Sequence, residues 1–296
     1  MKHITICICT YKRPLLLKRL LTEVASQETG GLFSYSILVV DNDRARSAEP
    51  VISDFRAHFP APVQYFVETR QGIALARNKA VENAQGELVA FLDDDEFPTK
   101  RWLLTLVRAL DEFQADGVLG PVKPHFDVEP PRWVVQGKFY ERPSYPTGLV
   151  IDWKKGRTGN ALLNRRIFAP DAMFRPEFRT GEDQDFFRRA IDKGNVFIWC
   201  NEAVAYEVVP PERWRRRFML RRALLQGANS LLHPNLRARS TAKSAVAVVA
   251  YTALLPVALF LGEGRLMLCL LKLFDHTGRL LAAIGIDPIK EPYVTE

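Results

Sequence analysis

From residue 4 to residue 122, short apolar runs alternate with segments of helical periodicity. The spacing predicts strands over 4–9, 35–40, 63–67, 88–92 and 117–122, and helices over 14–27, 48–59, 72–84 and 100–113. In the first helix Leu16, Leu20, Leu21 and Val24 share one face, and Pro14 sits near the first turn. Such alternation implies an α/β fold with a mostly parallel, Rossmann-like sheet covered by helices on both faces. Ligands of such sheets bind outside the carboxyl ends of the strands. At 296 residues, 47% hydrophobic and 25% charged, the composition excludes disorder, collagen and a disulfide miniprotein. Cys7, Cys9, Cys200 and Cys269 form no CxxC pair, so they read as reduced thiols in a cytosolic protein.

The regularity breaks after residue 122. Residues 124–146 are rich in proline and aromatics, including Phe126, Trp133, Phe139, Tyr140 and Tyr145, and read as an ordered loop covering a binding cleft. A strand over 158–163, a helix over 183–193 and short strands over 196–200 and 203–208 follow. The tail differs. Residues 212–296 hold 13 Lys+Arg against 6 Asp+Glu, which is the whole +7 excess. A helix over 212–232 carries Arg213, Arg215, Arg216, Arg217, Arg221 and Arg222, and residues 244–262 contain no charge. That length just suffices to span a bilayer, although Tyr251, Thr252 and Pro256 weaken the pattern. Residues 266–286 are interrupted by Lys272, Asp275 and Arg279 and fit an interfacial helix. Basic charge beside an apolar stretch points to an anionic membrane face rather than nucleic acid. A helical pair packed on the body is the alternative. The N-terminus lacks the features of a signal peptide, which places the body in the cytoplasm.

The sharpest motif is Asp93-Asp94-Asp95-Glu96, four acids directly after an apolar strand. Their mutual repulsion is relieved by a divalent cation, and an all-oxygen set suits Mg²⁺ or Mn²⁺ bridging carboxylate to phosphate. A solvated turn with helix-capping aspartates is the plainer reading. A second acidic set, 180–187, opens a helix with Glu182, Asp183 and Asp185. Acids favour a helix start, and one of them also suits a general base. Thr10 and Tyr11 follow strand one, Asp41 follows strand two, Arg70 follows strand three, and Arg77 lies in the next helix. All therefore gather at one sheet edge, where arginines can pair with phosphate. Neither GxGxxG nor GxxxxGK[ST] occurs, which excludes a dinucleotide fingerprint and a P-loop.

The runs Ile6-Cys7-Ile8-Cys9-Thr10-Tyr11-Lys12-Arg13-Pro14, Val39-Val40-Asp41-Asn42, Ala74-Leu75-Ala76-Arg77-Asn78, Asp93–Asp95 and Gly181-Glu182-Asp183 resemble, in this order, an inverting family 2 glycosyltransferase with the GT-A fold. Leu119-Gly120-Pro121-Val122, Pro131-Arg132-Trp133 and Thr158-Gly159-Asn160-Ala161-Leu162 resemble its bacterial polysaccharide subgroup. The resemblance implies a GT-A catalytic domain over 1–210, with a nucleotide-binding half (1–122) and an acceptor-binding half (123–210), and a membrane-associating helical tail over 211–296. It implies that Thr10, Tyr11, Asp41, Arg70, Arg77, Asp93 and Asp94 contact the nucleotide, that Asn160 faces the donor sugar, and that Asp95 ligates Mg²⁺ or Mn²⁺ with Asp93. Asp183 would deprotonate the acceptor, supported by Glu182. Many relatives carry a metal-ligating His after the last strand; here the stretch is Ala205-Tyr206-Glu207-Val208, which implies either that Glu207 takes that role or that the metal has fewer protein ligands. The Gln-x-x-Arg-Trp motif of processive members is absent, which implies transfer of single sugars. The expected donor is a UDP-sugar and the expected acceptor a glycan or lipid-linked oligosaccharide, at the cytoplasmic face of the bacterial inner membrane. Two other readings compete. A nucleotidyltransferase would need a glycine-rich loop after strand one, and residues 10–14 have no glycine. A non-catalytic membrane adaptor would not need both acidic motifs.

Overall fold

The computed structural model describes residues 1–58, 62–169, 171–178, 181–230 and 237–289. The ends of the helices expected over 48–59 and 212–232, and Thr180 of the second acidic set, lie outside those residues. The chain divides into two compact units, one formed by residues 1–125 with 142–208, the other by 126–141 with 209–296. Residues 126–141, expected in the first domain as a loop over its cleft, thus pack with the helical tail.

The first unit is the alternating α/β fold. Strands β1 (Lys2–Thr10), β2 (Phe33–Asp41), β3 (Val63–Val67) and β4 (Leu88–Asp93) alternate with helices α1 (Pro14–Ala25), α2 (Glu49–His58) and α3 (Ile73–Asn83). The chain continues through β5 (Glu96–Pro98), α4 (Trp102–Phe113), β6 (Gly117–Leu119) and β7 (Val122–His125). After the short α5 (Arg132–Gln136) come β8 (Ala161–Asn164), α6 (Glu182–Asp192), β9 (Phe197–Trp199) and β10 (Ala205–Val208). A seven-stranded sheet runs β3-β2-β1-β4-β8-β6-β9, parallel except that β8 is antiparallel to β4 and β6. Both faces are buried. Ile4, Ile6 and Ile8 of β1 pack with α1, α2 and α4, while Cys7 joins the core under α3 and α6. That two-sided burial explains why the strands read as continuous apolar runs.

The strand expected over 117–122 breaks into β6 and β7. Pro121 has no N–H for a ladder, and at Gly120 the chain leaves the main sheet for a second one, ordered β5-β10-β7. A Cβ on Gly120 would lie 2.3 Å from Ala203 O, so only glycine fits the step. Asn160 pins this junction. Its amide donates to Pro121 O (2.8 Å) and Ala203 O (2.7 Å), and its Oδ1 accepts from Trp102 Nε1 (2.6 Å). The residue is fully buried. This corrects the expectation that Asn160 faces a donor sugar: its polar atoms hold protein to protein.

In the second unit, Val134, Val209 and Trp214 form a small core with Phe126, Trp133 and Tyr140. Helices α7 (Arg216–Asn229), α8 (Arg237–Phe260) and α9 (Glu263–Ala283) follow. Helices α7 and α9 touch backbone to backbone, since a Cβ on Gly278 would lie 2.0 Å from Leu224 O. On α8, positions 244, 247, 248, 251, 255 and 258 turn inward at helical spacing, while Val246, Val249, Val257 and Phe260 face out. Its inward side is mostly apolar but begins with a polar contact: Ser244 Oγ meets His276 Nδ1 at 3.1 Å and Arg279 Nη1 at 3.4 Å.

Asn160→Ala should lower stability by about 3 kcal/mol, because it removes the partner of the buried indole N–H and of Ala203 O, while Pro121 O keeps only the Ala205 N–H (3.1 Å). Urea unfolding measures this; a loss under 1 kcal/mol would contradict the pinning role.

Candidate active site

Parallel register carries Val67, Asp41, Thr10 and Asp93 to one edge of the main sheet. Because β8 runs the other way, the residues just before it, Thr158 to Asn160, return to that edge. The acidic turn after β4 is built into the protein. Asp94, Asp95 and Glu96 are buried, which does not fit a solvated turn. Thr10 Oγ1 donates to Asp94 Oδ2 at 2.9 Å. Arg13 Nη1 donates to Asp94 Oδ1 and Asp95 Oδ2, both at 3.1 Å. Glu96 accepts from the Asp93 backbone N–H at 3.1 Å.

Two further arginines answer the remaining acids. Arg77 Nη2 donates to Asp93 Oδ1 at 3.1 Å, and its Nη1 to Glu182 Oε1 at the start of α6. Arg142 Nη2 donates to Glu207 Oε2 on β10, where Glu207 pairs in register with Glu96 on β5. Helix α6 is seated by Phe186, whose ring lies 4.7 Å from that of Phe174 and 4.9 Å from that of Phe168. This leaves Glu182 and Asp183 at its first turn, after Gly181 in a left-handed conformation. Asp183 is half-buried, and its Oδ1 accepts from Gln184 N at 2.7 Å.

The electrostatics follow the crowding. Burial pushes Glu182 up to about 7 against the pull of Arg77. Burial also raises Asp183, again opposed by Arg77. Asp94 rises to about 6 through burial, with Arg13 opposing and Asp95 adding to the rise. Glu96 is lifted well above the usual carboxylate range by burial and then by the charge of Asp93. Arg77 is the reverse case. Burial works against its charge, but Glu182 and then Asp93 outweigh it and hold the guanidinium above its ordinary value.

The expected residues do not all converge. Thr10, Asp93, Asp94, Asp95, Arg77 and Glu182 form one connected cluster. Tyr11 follows β1, half-buried, with Lys12 Nζ 5.2 Å from its ring centroid. Asp41 is fully buried, and its carboxylate accepts from Asp43 N (3.0 Å), Ala48 N (2.8 Å) and Tyr65 OH (2.9 Å), shaping its loop from beneath. Arg70 is exposed and turns to Glu68 at 3.2 Å. Glu207, expected as a metal ligand, is engaged by Arg142. Sequence reasoning read Glu96 only as one of four clustered acids and gave no individual role to Arg13, Arg142 or Asn42. Asn42 sews two loops together, donating to Glu68 O (2.9 Å) and Arg70 O (2.8 Å) and accepting from Gly72 N (2.9 Å). Arg13 stood next to Thr10 in the motif after β1, whereas nothing in the proline-rich run marked Arg142.

Among the described residues no group of three or more His, Cys, Asp or Glu side chains is placed to hold a metal ion. The donor chemistry nonetheless fits a hard divalent cation. Asp93 and Asp95 supply oxygen only, beside a Glu96 whose charge their proximity disfavours. Mg²⁺ and Mn²⁺ sites of this kind use one or two carboxylates and complete their shell with phosphate and water.

Residues 5–169 match the sequence model of glycosyl transferase family 2. The chain belongs to that family. It is 31% identical over 231 residues to the succinoglycan biosynthesis protein ExoM of Rhizobium meliloti, covering 76% of this chain and 73% of ExoM. It is 24% identical to the poly(ribitol-phosphate) beta-N-acetylglucosaminyltransferase TarS of Staphylococcus aureus, covering 70% of this chain and 35% of TarS. The fold is similar to that of the mannosyltransferase PcManGT from Pyrobaculum calidifontis in complex with GDP-Man and Mn²⁺, with a TM-score of 0.63 at 18% identity over 94% of this chain and 86% of that one. TarS 1-349 in complex with UDP-GlcNAc matches with a TM-score of 0.55 at 20% identity, over 71% of this chain and 59% of that one. Membership makes this chain a glycosyltransferase of GT-A fold, which sets aside the nucleotidyltransferase and adaptor readings.

A Cβ on Gly159 would lie 2.6 Å from Glu96 Oε1 and 3.1 Å from Asp93 Oδ2. Gly159→Ala should therefore displace the acidic turn. The expected outcome is a fall in transfer rate of roughly 100-fold with a near-normal melting temperature; wild-type turnover would show that the turn tolerates displacement.

Proposed function

We propose that this family 2 enzyme moves a single sugar from a nucleotide-diphosphate sugar, with UDP as the nucleotide, to a hydroxyl of a glycan or lipid-linked oligosaccharide. The product belongs to a bacterial surface or exopolysaccharide, and the anomeric centre inverts. The observation that carries this reading is the shared guanidinium of Arg77. It joins Asp93, at the end of β4, to Glu182, beside Asp183, so two acidic motifs far apart in sequence serve one site. The kinship to ExoM supports a polysaccharide product. The nucleotide sugars bound by TarS and PcManGT support a donor of that class.

In this reading Thr10, Tyr11 and the Asp41 loop receive the nucleoside, and Asp93 with Asp95 hold Mg²⁺ or Mn²⁺. The cation would neutralise charge on the departing diphosphate. Asp183 takes the proton from the acceptor hydroxyl as the oxygen attacks the anomeric carbon from the side opposite the diphosphate. The bond to the diphosphate breaks with its electron pair, so one displacement inverts the centre without an enzyme nucleophile.

The helical unit bears on where this happens. Helix α8 holds the one described segment long and apolar enough to cross a membrane, Thr241–Phe260, with a mean hydropathy of 1.8. The outward apolar face of α8 and the arginines of α7, two helices that both pack on α9, fit attachment to the anionic, cytoplasmic face of the inner membrane. There a lipid-linked acceptor is within reach.

Asp183→Asn should keep nucleotide binding and lower transfer roughly 10²–10⁴-fold, the range for loss of a general base. Because burial raises Asp183, its deprotonated form is lost as pH falls through a value above the ~4 of a free aspartate. The wild-type rate should fall at that same pH, and normal turnover by the variant would remove Asp183 as the base.

Sedimentation with vesicles tests the tail. The full chain should bind phosphatidylglycerol vesicles better than phosphatidylcholine vesicles, and Val249→Glu with Val257→Glu should release it. A wild type that stays wholly in the supernatant would overturn membrane attachment.

A further inference from the structure

Arg77 was expected at the donor diphosphate, yet its surroundings are those of a strut. It is only 5% exposed, and each terminal nitrogen already meets a carboxylate from a different element. Its guanidinium carbon lies 5.8 Å from the ring centroid of Phe174, one of the aromatics that seat α6. Turning this side chain toward a diphosphate would strand Glu182, itself 5% exposed, as a buried charge without its cation. Phe186 and the buried Asp185, 3.5 Å from Arg175, seat the body of α6, but its first two residues have no such anchor among the described residues apart from Arg77. Gly181 offers no capping side chain, and Asp183 engages the backbone of its own neighbour.

We propose that Arg77 is a positioning residue that locks the first turn of α6, and with it Asp183, to the end of β4, and is not a ligand of the donor diphosphate. This rests on Asp183 being the base. One guanidinium spans two carboxylates only because its donors form a rigid fork, which lysine, a single-point donor, lacks. The distance between the nucleotide-side acid and the base is therefore set by one side chain from α3.

The experiment compares Arg77→Lys, Glu182→Gln and the double variant in the full chain. Calorimetry measures the Kd for UDP with Mn²⁺, and steady-state kinetics measure the rate at saturating donor. Each single variant should keep Kd within about twofold while the rate falls at least tenfold. The double variant should be no worse than the poorer single, because both break one link. Arg77→Lys should retain more activity than Arg77→Ala, which lacks the charge. A tenfold loss of UDP affinity with an unchanged saturated rate, or additive losses, would overturn the proposal.

A readout without nucleotide keeps this separate from the base assignment. Hydrogen exchange of the amides of residues 185–188 should speed up at least tenfold in Arg77→Lys while the β1 and β2 amides stay protected. Unchanged exchange would overturn the strut. A strut that passes this test beside a fully active Asp183→Asn would instead condemn the base, not Arg77.

Discussion

Like charges packed at the end of a sheet are tolerable only when each has a cation close by, and this site depends on that condition. Arg13 answers Asp94 and Asp95, Arg77 answers Asp93 and Glu182, and Arg142 answers Glu207. The arginines come from three separate segments: the turn after β1, helix α3, and the proline-rich run. Burial raises Asp94, Glu96, Glu182 and Asp183, so removing any one cation shifts the balance for several carboxylates at once. Such an arrangement is poised to accept further positive charge and to hold a negatively charged leaving group beside it.

The sheet makes this convergence possible. Parallel strands place their carboxyl ends together, and the reversed β8 brings Gly159 back to the same edge, close enough that its missing side chain leaves room for Glu96 and Asp93. The junction at Gly120 and Pro121 then hands the chain to the small second sheet, which fixes Glu96 opposite Glu207. Asn160 stands behind this wall as a fastener.

Much of this was legible in the amino-acid sequence. The alternation of apolar runs and helical periods marked the parallel sheet, because two-sided burial leaves a continuous apolar signature in strands such as β1. The acidic motifs stood out because clustered carboxylates have no reason to follow an apolar strand unless something there needs them. Direction was harder to read. A polar residue beside a motif can face the cleft or the interior, and spacing does not distinguish these. Asn160 and Asp41 turned inward for that reason, and Arg70 turned to Glu68. The strand expected over 117–122 was split by Pro121, whose lost N–H matters only once the neighbouring strand is known. Arg142 left no trace, since its role exists only through a partner 65 residues away.

The small second sheet also bears on how the protein is made. Its central strand is β10, the last strand among the described residues, and both β5 and β7 pair with it. A growing polypeptide emerging from the ribosome therefore carries Asp93 to Glu96 for more than a hundred residues before Glu207, and the strand that braces the turn, can arrive. The unit acquires a finished catalytic edge only once residues 205–208 have emerged, and a product released before residue 205 would have most of the main sheet yet no brace for the acidic turn.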